Sequence, residues 1–270
     1  MTDSSQGKPN DITFTDVTRT FVRGDGQAVT AVDGISTHIR EGEFVCLVGP
    51  SGCGKTTLLQ MVSGLLPTSG GAITVGAKQV TGPGPDRGVV FQKDSVFPWF
   101  RVIDNVEYGM KRRGVTAAER RDIANRYLEL VNLSHVARAW PKELSGGMLK
   151  RVAIATVFAN GSDVLLLDEP FAALDYVTKH QLHDVLLDLW RSTDAPRRTI
   201  LFVTHDVDES LLLADRIIVI RDGRLVDDIA IDATRPRDVD TLTRPDMMTV
   251  KHKLLAHLGL EHGSRRSAAS

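Results

Sequence analysis

The segment GPSGCGKT (49–56) places three glycines, a lysine and a hydroxyl residue at spacings that suit the binding of a phosphate chain. It fits the pattern G-x-x-x-x-G-K-[ST] and lies between a predicted strand and a predicted helix, the context that the pattern requires. Gly49, Gly52 and Gly54 let the backbone, with Pro50, Ser51 and Cys53 between them, wrap a phosphate closely. Lys55 would neutralise the β- and γ-phosphates of a nucleotide, and Thr56 would offer its hydroxyl to Mg²⁺.

A second group has to hold that metal and a water. VLLLDEP (164–170) ends an apolar run in Asp168 and Glu169. Asp168 suits Mg²⁺ binding through water, and Glu169, expected on the opposite side of the strand, suits polarising an attacking water. Such an acid pair can also cap a helix. Beside a phosphate loop, and after it in the chain, it marks a hydrolase rather than a small-molecule kinase. Gln92 follows GVVF and His205 follows ILFVT, both at carboxyl ends of predicted strands, where ligands of α/β sheets gather. Both suit sensing of a γ-phosphate. LSGGMLKR (144–151) sets Ser145, Gly146 and Gly147 ahead of a basic helical segment. One reading is a turn with Ser145 as N-cap; the other is a second anion site at a helix start.

The elements that must position these residues alternate in type. ITFTDVTRTF (12–21) and QAVTAVDGISTHIR (27–40) read as antiparallel strands with one wet face. EFVCLV (43–48), VLLLDEP and TILFVTH (199–205) read as buried parallel strands, and GAITV (71–75) and GVVFQ (88–92) as shorter ones. KTTLLQMVSGLL and KHQLHDVLLDLWRS (179–192) have helical spacing, and DRIIVIRDGRLVDDIAI (215–231) reads as a hairpin. Between about residues 95 and 160 the pattern is helical, so an α/β core carrying an antiparallel β part and a helical insertion is expected. Lys111-Arg112-Arg113 and Arg120-Arg121 read as a solvated helix face. Residues 1–10 read as a flexible lead, 11–245 as the main domain and 246–270 as a C-terminal helix with a flexible tail.

The chain of 270 residues is 42% hydrophobic and 25% charged, with net charge -1 and pI near 6.7. That balance makes no electrostatic case for nucleic acid or anionic lipid. The two cysteines, Cys46 and Cys53, have neither zinc-type spacing nor the makings of a disulfide framework, which favours a reducing compartment. No apolar run approaches the roughly 18 residues of a membrane span, and the N-terminus does not read as a signal peptide.

Taken together, GPSGCGKTT, Gln92, LSGG, VLLLDEP, AALD (172–175) and His205 resemble the nucleotide-binding subunit of an ABC transporter, from about residue 12 to 230. The resemblance implies a P-loop NTPase core that binds ATP with Mg²⁺ and hydrolyses it. In that family LSGG binds the γ-phosphate of ATP held by a second subunit, so Ser145, Gly146 and Gly147 would act in trans in a homodimer. It further implies nucleotide contacts from Gly49 through Thr57, a metal contact from Gln92 beside Thr56 and Asp168, and a dimer contact from Asp175. Phe21 lies where the family has an aromatic that stacks on adenine; a core phenylalanine is the other reading. GPGPDRGVVFQ, SVFPW (95–99) and THDVDESLLLADRI look most like the nitrate/sulfonate/taurine importer branch. The implied partners are transmembrane permease subunits and, indirectly, a periplasmic or lipid-anchored solute-binding protein, with no nucleic acid. The implied place is the cytoplasmic face of the membrane. Phe97, Pro98 and Trp99 are candidates for permease docking, with a core aromatic cluster as the alternative. An ABC-type ATPase serving DNA or the ribosome is the competing function. Met148, Lys150 and Ala155-Thr156-Val157 depart from the usual residues of the signature helix, which raises the question of how well that helix packs.

Overall fold

Strands with apolar side chains on both faces have to be covered on both sides, and that requirement organises the molecule. The computed structural model describes residues 10–93, 95–172, 174–192 and 197–260. The expected tail (261–270), all of the expected lead except Asn10, and Ala173 of the AALD segment lie outside them.

The chain begins with β1 (Ile12–Val22), β2 (Ala28–Ile39) and β3 (Phe44–Val48), then α1 (Lys55–Ser63), β4 (Gly70–Val75), β5 (Lys78–Gln79) and β6 (Arg87–Val90). The helical stretch holds α2 (Val102–Arg112), α3 (Ala117–Leu130) and α4 (Gly146–Ala159). It is followed by β7 (Val164–Asp168), α5 (Tyr176–Arg191), β8 (Thr199–Thr204) and α6 (Val207–Leu213). β9 (Arg216–Arg221), β10 (Arg224–Ala230), α7 (Val239–Leu242) and α8 (Pro245–His257) complete it. The short helices α6 and α7 have too few turns to show a period in the sequence.

Six strands form one sheet in the order β10-β9-β3-β8-β7-β6, parallel except for β10 at the edge. A second, antiparallel sheet runs β2-β1-β4-β5. Alternation divides each central strand between two cores. Phe44, Cys46 and Val48 of β3 face the helices, where Phe44 meets Trp190 edge-on at 5.5 Å. Val45 and Leu47 face α1 and the antiparallel sheet, with Leu58, Leu59, Met61 and Val62 of α1 between. β7, β8 and β9 divide in the same way. The β9–β10 hairpin turns on Asp222 and Gly223, both with positive φ (50° and 78°), the geometry that matches strand twist. Both cysteines are buried and free.

In the helical part, Lys111, Arg112, Arg113 and Arg121 lie on the expected exposed face and Arg120 is half-buried, but Arg120 and Arg121 share a partner. Both grip buried Glu107 of α2, at 2.9 and 2.6 Å, because a carboxylate inside a helix pair needs a counter-charge. Asn105, 2% exposed, accepts from Phe97 N–H at 2.7 Å and donates to the carbonyls of Phe97, Phe100 and Arg101. That one side chain shapes the turn that carries Phe97, Pro98 and Trp99. The signature helix packs on the core with its departures in place. Val152, Ala153, Ile154, Ala155 and Phe158 of α4 are all buried, Met148 packs on the same core, and Thr156 folds its hydroxyl back onto Val152 O at 2.8 Å.

Candidate functional site

The phosphate-loop sequence leaves β3 and enters α1 through Gly54, which sits at φ 103° as the N-cap. A Cβ there would come within 2.3 Å of Ala31 O, so the fold itself demands glycine. Gly52 differs: its φ is 79° and a Cβ would meet nothing within 4 Å, so its side faces open space from which a ligand can approach. Lys55 is 5% exposed and donates from Nζ to Gly49 O at 2.7 Å and Pro50 O at 2.9 Å. Ser51 is exposed and Thr57 half-buried.

Thr56, the next residue of α1, donates from Oγ1 to Asp168 Oδ1 at 2.9 Å, joining two segments 112 positions apart. Asp168 ends β7 and is 8% exposed. Burial pushes its carboxyl above the ordinary range, and neighbouring Glu169 adds to the push; Thr56 and Lys55 oppose it. Glu169 does not continue the pleat, as the alternation of the sequence had suggested. It has φ 43° and lies beyond the strand, its N–H bonded to Val203 O at 3.0 Å. The turn of the backbone, rather than the strand, sends its side chain away from Asp168. Gln92 donates from Nε2 to Glu169 Oε2 at 3.2 Å, and His205 Nδ1 stands 3.3 Å from the same oxygen. Gln92 lies two residues past the end of β6, and its amide engages Glu169 rather than the Thr56–Asp168 pair.

Lys55, Thr56, Asp168, Glu169, Gln92 and His205 are thus brought to one edge of the sheet, the carboxyl ends of β3, β6, β7 and β8. The remaining candidates stand apart. Phe21 is 38% exposed, which excludes the core reading, and the Arg19 guanidinium lies 4.6 Å from its ring centroid. Ser145 and Gly147 have uses in their own chain, the first being the N-cap reading and the second a contact that the motif did not reveal. Ser145 Oγ accepts Met148 N–H at 3.3 Å as N-cap of α4, and a Cβ on Gly147 would come within 2.6 Å of Thr178 Cγ2 on α5. Gly146 faces open space. Asp175 caps α5 by accepting Thr178 N–H at 3.0 Å. Trp99 is 64% exposed, which excludes the core reading for it.

A model of the family described as ABC transporter matches residues 32–172. The chain belongs to the ABC transporter family. It is an ATP-binding subunit of that family, whose members hydrolyse ATP in transport. The nitrate import ATP-binding protein of Synechocystis is 46% identical over 230 residues, covering 84% of each chain. The taurine import ATP-binding protein of Rhizobium johnstonii is 46% identical over 217 residues, covering 80% of this chain and 82% of that one. These relatives fall in the branch that the sequence resembles. A solved dimeric bacterial ABC transporter cassette superimposes with TM-score 0.74 at 30% identity, covering 83% of this chain and 100% of that one. A dimeric ATP-binding cassette in a post-hydrolysis state with ADP and Pi gives 0.72 at the same identity and coverage.

Some neighbours of the ABC site had no signal in a short motif. Lys150 of α4 donates from Nζ to Gln92 O at 2.5 Å, tying the segment after β6 to the signature helix. Its place five residues after Ser145 was visible, but its target lies 58 positions away. Lys179, His183 and Glu209 form a further set beside His205.

The raised carboxyl of Asp168 has a sign that experiment can check. The folded chain binds this proton more tightly than the unfolded chain does. The group's contribution to stability is therefore full below the ordinary carboxylate pKa and lost as pH rises through the folded value. Asp168→Asn keeps the acceptor for Thr56 and removes the charge. Its thermal midpoint without nucleotide should exceed that of the unsubstituted chain near neutral pH, and the gap should narrow as the solution is acidified. A lower midpoint at neutral pH would contradict the assignment.

Proposed function

We propose that two copies of this chain close head to tail around two ATP molecules and, by hydrolysing them, energise uptake of a small solute through a separate membrane permease. The observation that carries the mechanism is the convergence on one sheet edge of the Thr56–Asp168 pair and of Glu169 held between Gln92 and His205. Phosphates would lie along Gly49–Thr57, with Lys55 exchanging its bonds to Gly49 O and Pro50 O for phosphate oxygens. Thr56 and Asp168 suit Mg²⁺: they offer hard oxygen donors side by side, and the buried carboxylate lacks a full counter-charge. Bound there, Mg²⁺ would supply charge neutralisation on the β- and γ-phosphates. Glu169 orients the attacking water and takes its proton. His205, Gln92 and the second copy's signature segment face the γ-phosphate.

Ser145 caps its own helix and is exposed, so its N-terminal N–H groups are available to a phosphate from outside. Phe21 offers an exposed ring for adenine, and Asp175, at the start of α5, meets the opposite copy. ATP favours the closed pair because only there does it touch both copies, so binding shifts the population and hydrolysis resets it. Phe97, Pro98 and Trp99 border a cavity of about 760 Å³ that also reaches Lys150 and Leu149 of α4. A cytoplasmic segment of the permease would seat there. Among the described residues no helix is long and apolar enough to cross a membrane. A peripheral place on the cytoplasmic face is supported by the importing relatives. The importing relatives support a solute of the nitrate, sulfonate or taurine kind, delivered by a solute-binding protein.

Glu169→Gln keeps size and hydrogen bonding but loses the charge. ATPase turnover should fall about 10²–10⁴-fold, while sedimentation with Mg-ATP should still show a dimer. Near-unchanged turnover would remove Glu169 from the base role.

The shared site can be tested by mixing. Lys55→Ala and Ser145→Arg subunits, each inactive alone, place both lesions in one site of a heterodimer and leave the other site whole. Part of the activity should return with the permease present; none in proven heterodimers would argue against sharing.

Trp99→Ala should weaken permease pull-down by about 2 kcal/mol or more, the usual loss for a hot-spot aromatic, without moving the thermal midpoint. Undiminished pull-down would place docking elsewhere.

A further inference from the structure

The ring of His205 is poorly enclosed: its side chain is 61% exposed. Packing therefore does not hold it, and its direction depends on the backbone to either side. That backbone is tied down on both flanks. Thr204, 2% exposed, donates from Oγ1 to Glu209 Oε2 and accepts Asp206 N–H at 3.0 Å. Asp206 caps α6 by accepting Glu209 N–H at 3.1 Å, and it also accepts from Lys179 Nζ of α5 at 2.8 Å. Burial works to raise the Asp206 carboxyl, but the bonds from Lys179 and Glu209 outweigh it and hold it below the ordinary range.

The other oxygen of Glu209 accepts from His183 Nε2 at 3.0 Å. His183 and Glu209 are each 4% exposed. The opposite ring nitrogen of His183 is buried with no hydrogen-bond partner among the described residues, and Phe171 packs on the ring at 5.3 Å. A buried pair of this kind returns little stability beyond what well-packed apolar residues of like volume would give, because both groups must first be stripped of water. What it supplies is direction. Glu209 can reach Thr204 and His183 together only with α5, α6 and the end of β8 in one arrangement.

We propose that His183 and Glu209 are positioning residues for hydrolysis, acting through Thr204 to set the backbone of residues 204–206 and so aim His205 at the site around Glu169. Lys179 holds the other flank through Asp206. The proposal rests on the reading of His205 as a γ-phosphate contact. It places α5 behind the site, although among the described residues its side chains make no hydrogen bond or ion pair to Glu169.

The test uses the full chain and reads kcat, KM for ATP and thermal midpoint. His183→Leu combined with Glu209→Leu removes both ends, so that no buried charge is left unpaired. We expect kcat to fall about tenfold or more, as misplacement of a reacting group does, with KM and midpoint little changed. Thr204→Val cuts the same link, and with it the acceptor of Asp206 N–H, at nearly constant shape and should give at least the same loss; it decides the matter alone if the double variant does not fold. His183→Gln keeps an N–H donor and should retain most of kcat. In single-turnover assays, His205→Ala with the double leucine change should be no slower than His205→Ala by itself, because interactions acting through one residue are not additive. Unchanged kcat in Thr204→Val, or fully additive losses on the His205→Ala background, would overturn the proposal. If His205→Ala itself leaves kcat unchanged, it is the reading of His205 that fails; if only the network variants leave it unchanged, the fault is in this inference alone.

Discussion

A strand buried on both faces cannot carry polar side chains along its length, because each would have to be stripped of water without a partner. In this chain β3, β7 and β8 are under that constraint at every position. Their polar side chains stand at the strand ends, and since the strands run parallel their carboxyl ends share one edge. Lys55 and Thr56 follow β3, Asp168 and Glu169 terminate β7, and His205 follows β8. The site is therefore where the burial pattern permits it, and the helices and second sheet that cover the strands are what enforce the pattern.

The same constraint makes the edge electrostatically tense. Asp168 sits at the last buried position, close enough to the interior for its carboxyl to be pushed up and close enough to the surface to meet Thr56. Glu169 escapes that environment through a left-handed turn and finds Gln92 and His205. Two adjacent acids thus reach different surroundings, one suited to a hard cation and the other to water. An ABC transporter subunit needs both, and one residue of unusual backbone separates them.

The signature segment has structural uses that sit beside its proposed one. Ser145 caps α4 and Gly147 admits Thr178 of α5, which are ordinary structural uses. Those uses also fix a helix start at exposed Ser145, beside the open approach at Gly146. Structural and functional readings of these residues are compatible, since a well-capped, rigid helix start is the better anion site.

Much of this protein was legible in the chain because its signals are local. The apolar runs of β3, β7 and β8, the helical period of α1 to α5, and the contiguous GPSGCGKT and LSGG motifs each depend on residues a few positions apart, where backbone geometry alone determines which side chains meet. The family could be read from them, and so could the roles proposed for Lys55, Thr56, Asp168 and Glu169. Tertiary structure alone decided whatever depends on distant partners. It paired Arg120 and Arg121 with Glu107, set Lys150 on Gln92, and joined His183 to Glu209 across 26 positions. It also decided that Phe21 and Trp99 stay exposed rather than enter the core. A strand or helix propensity says which face a residue occupies but not what the fold will bring against that face, and a polar side chain takes its role from the partner it finds there.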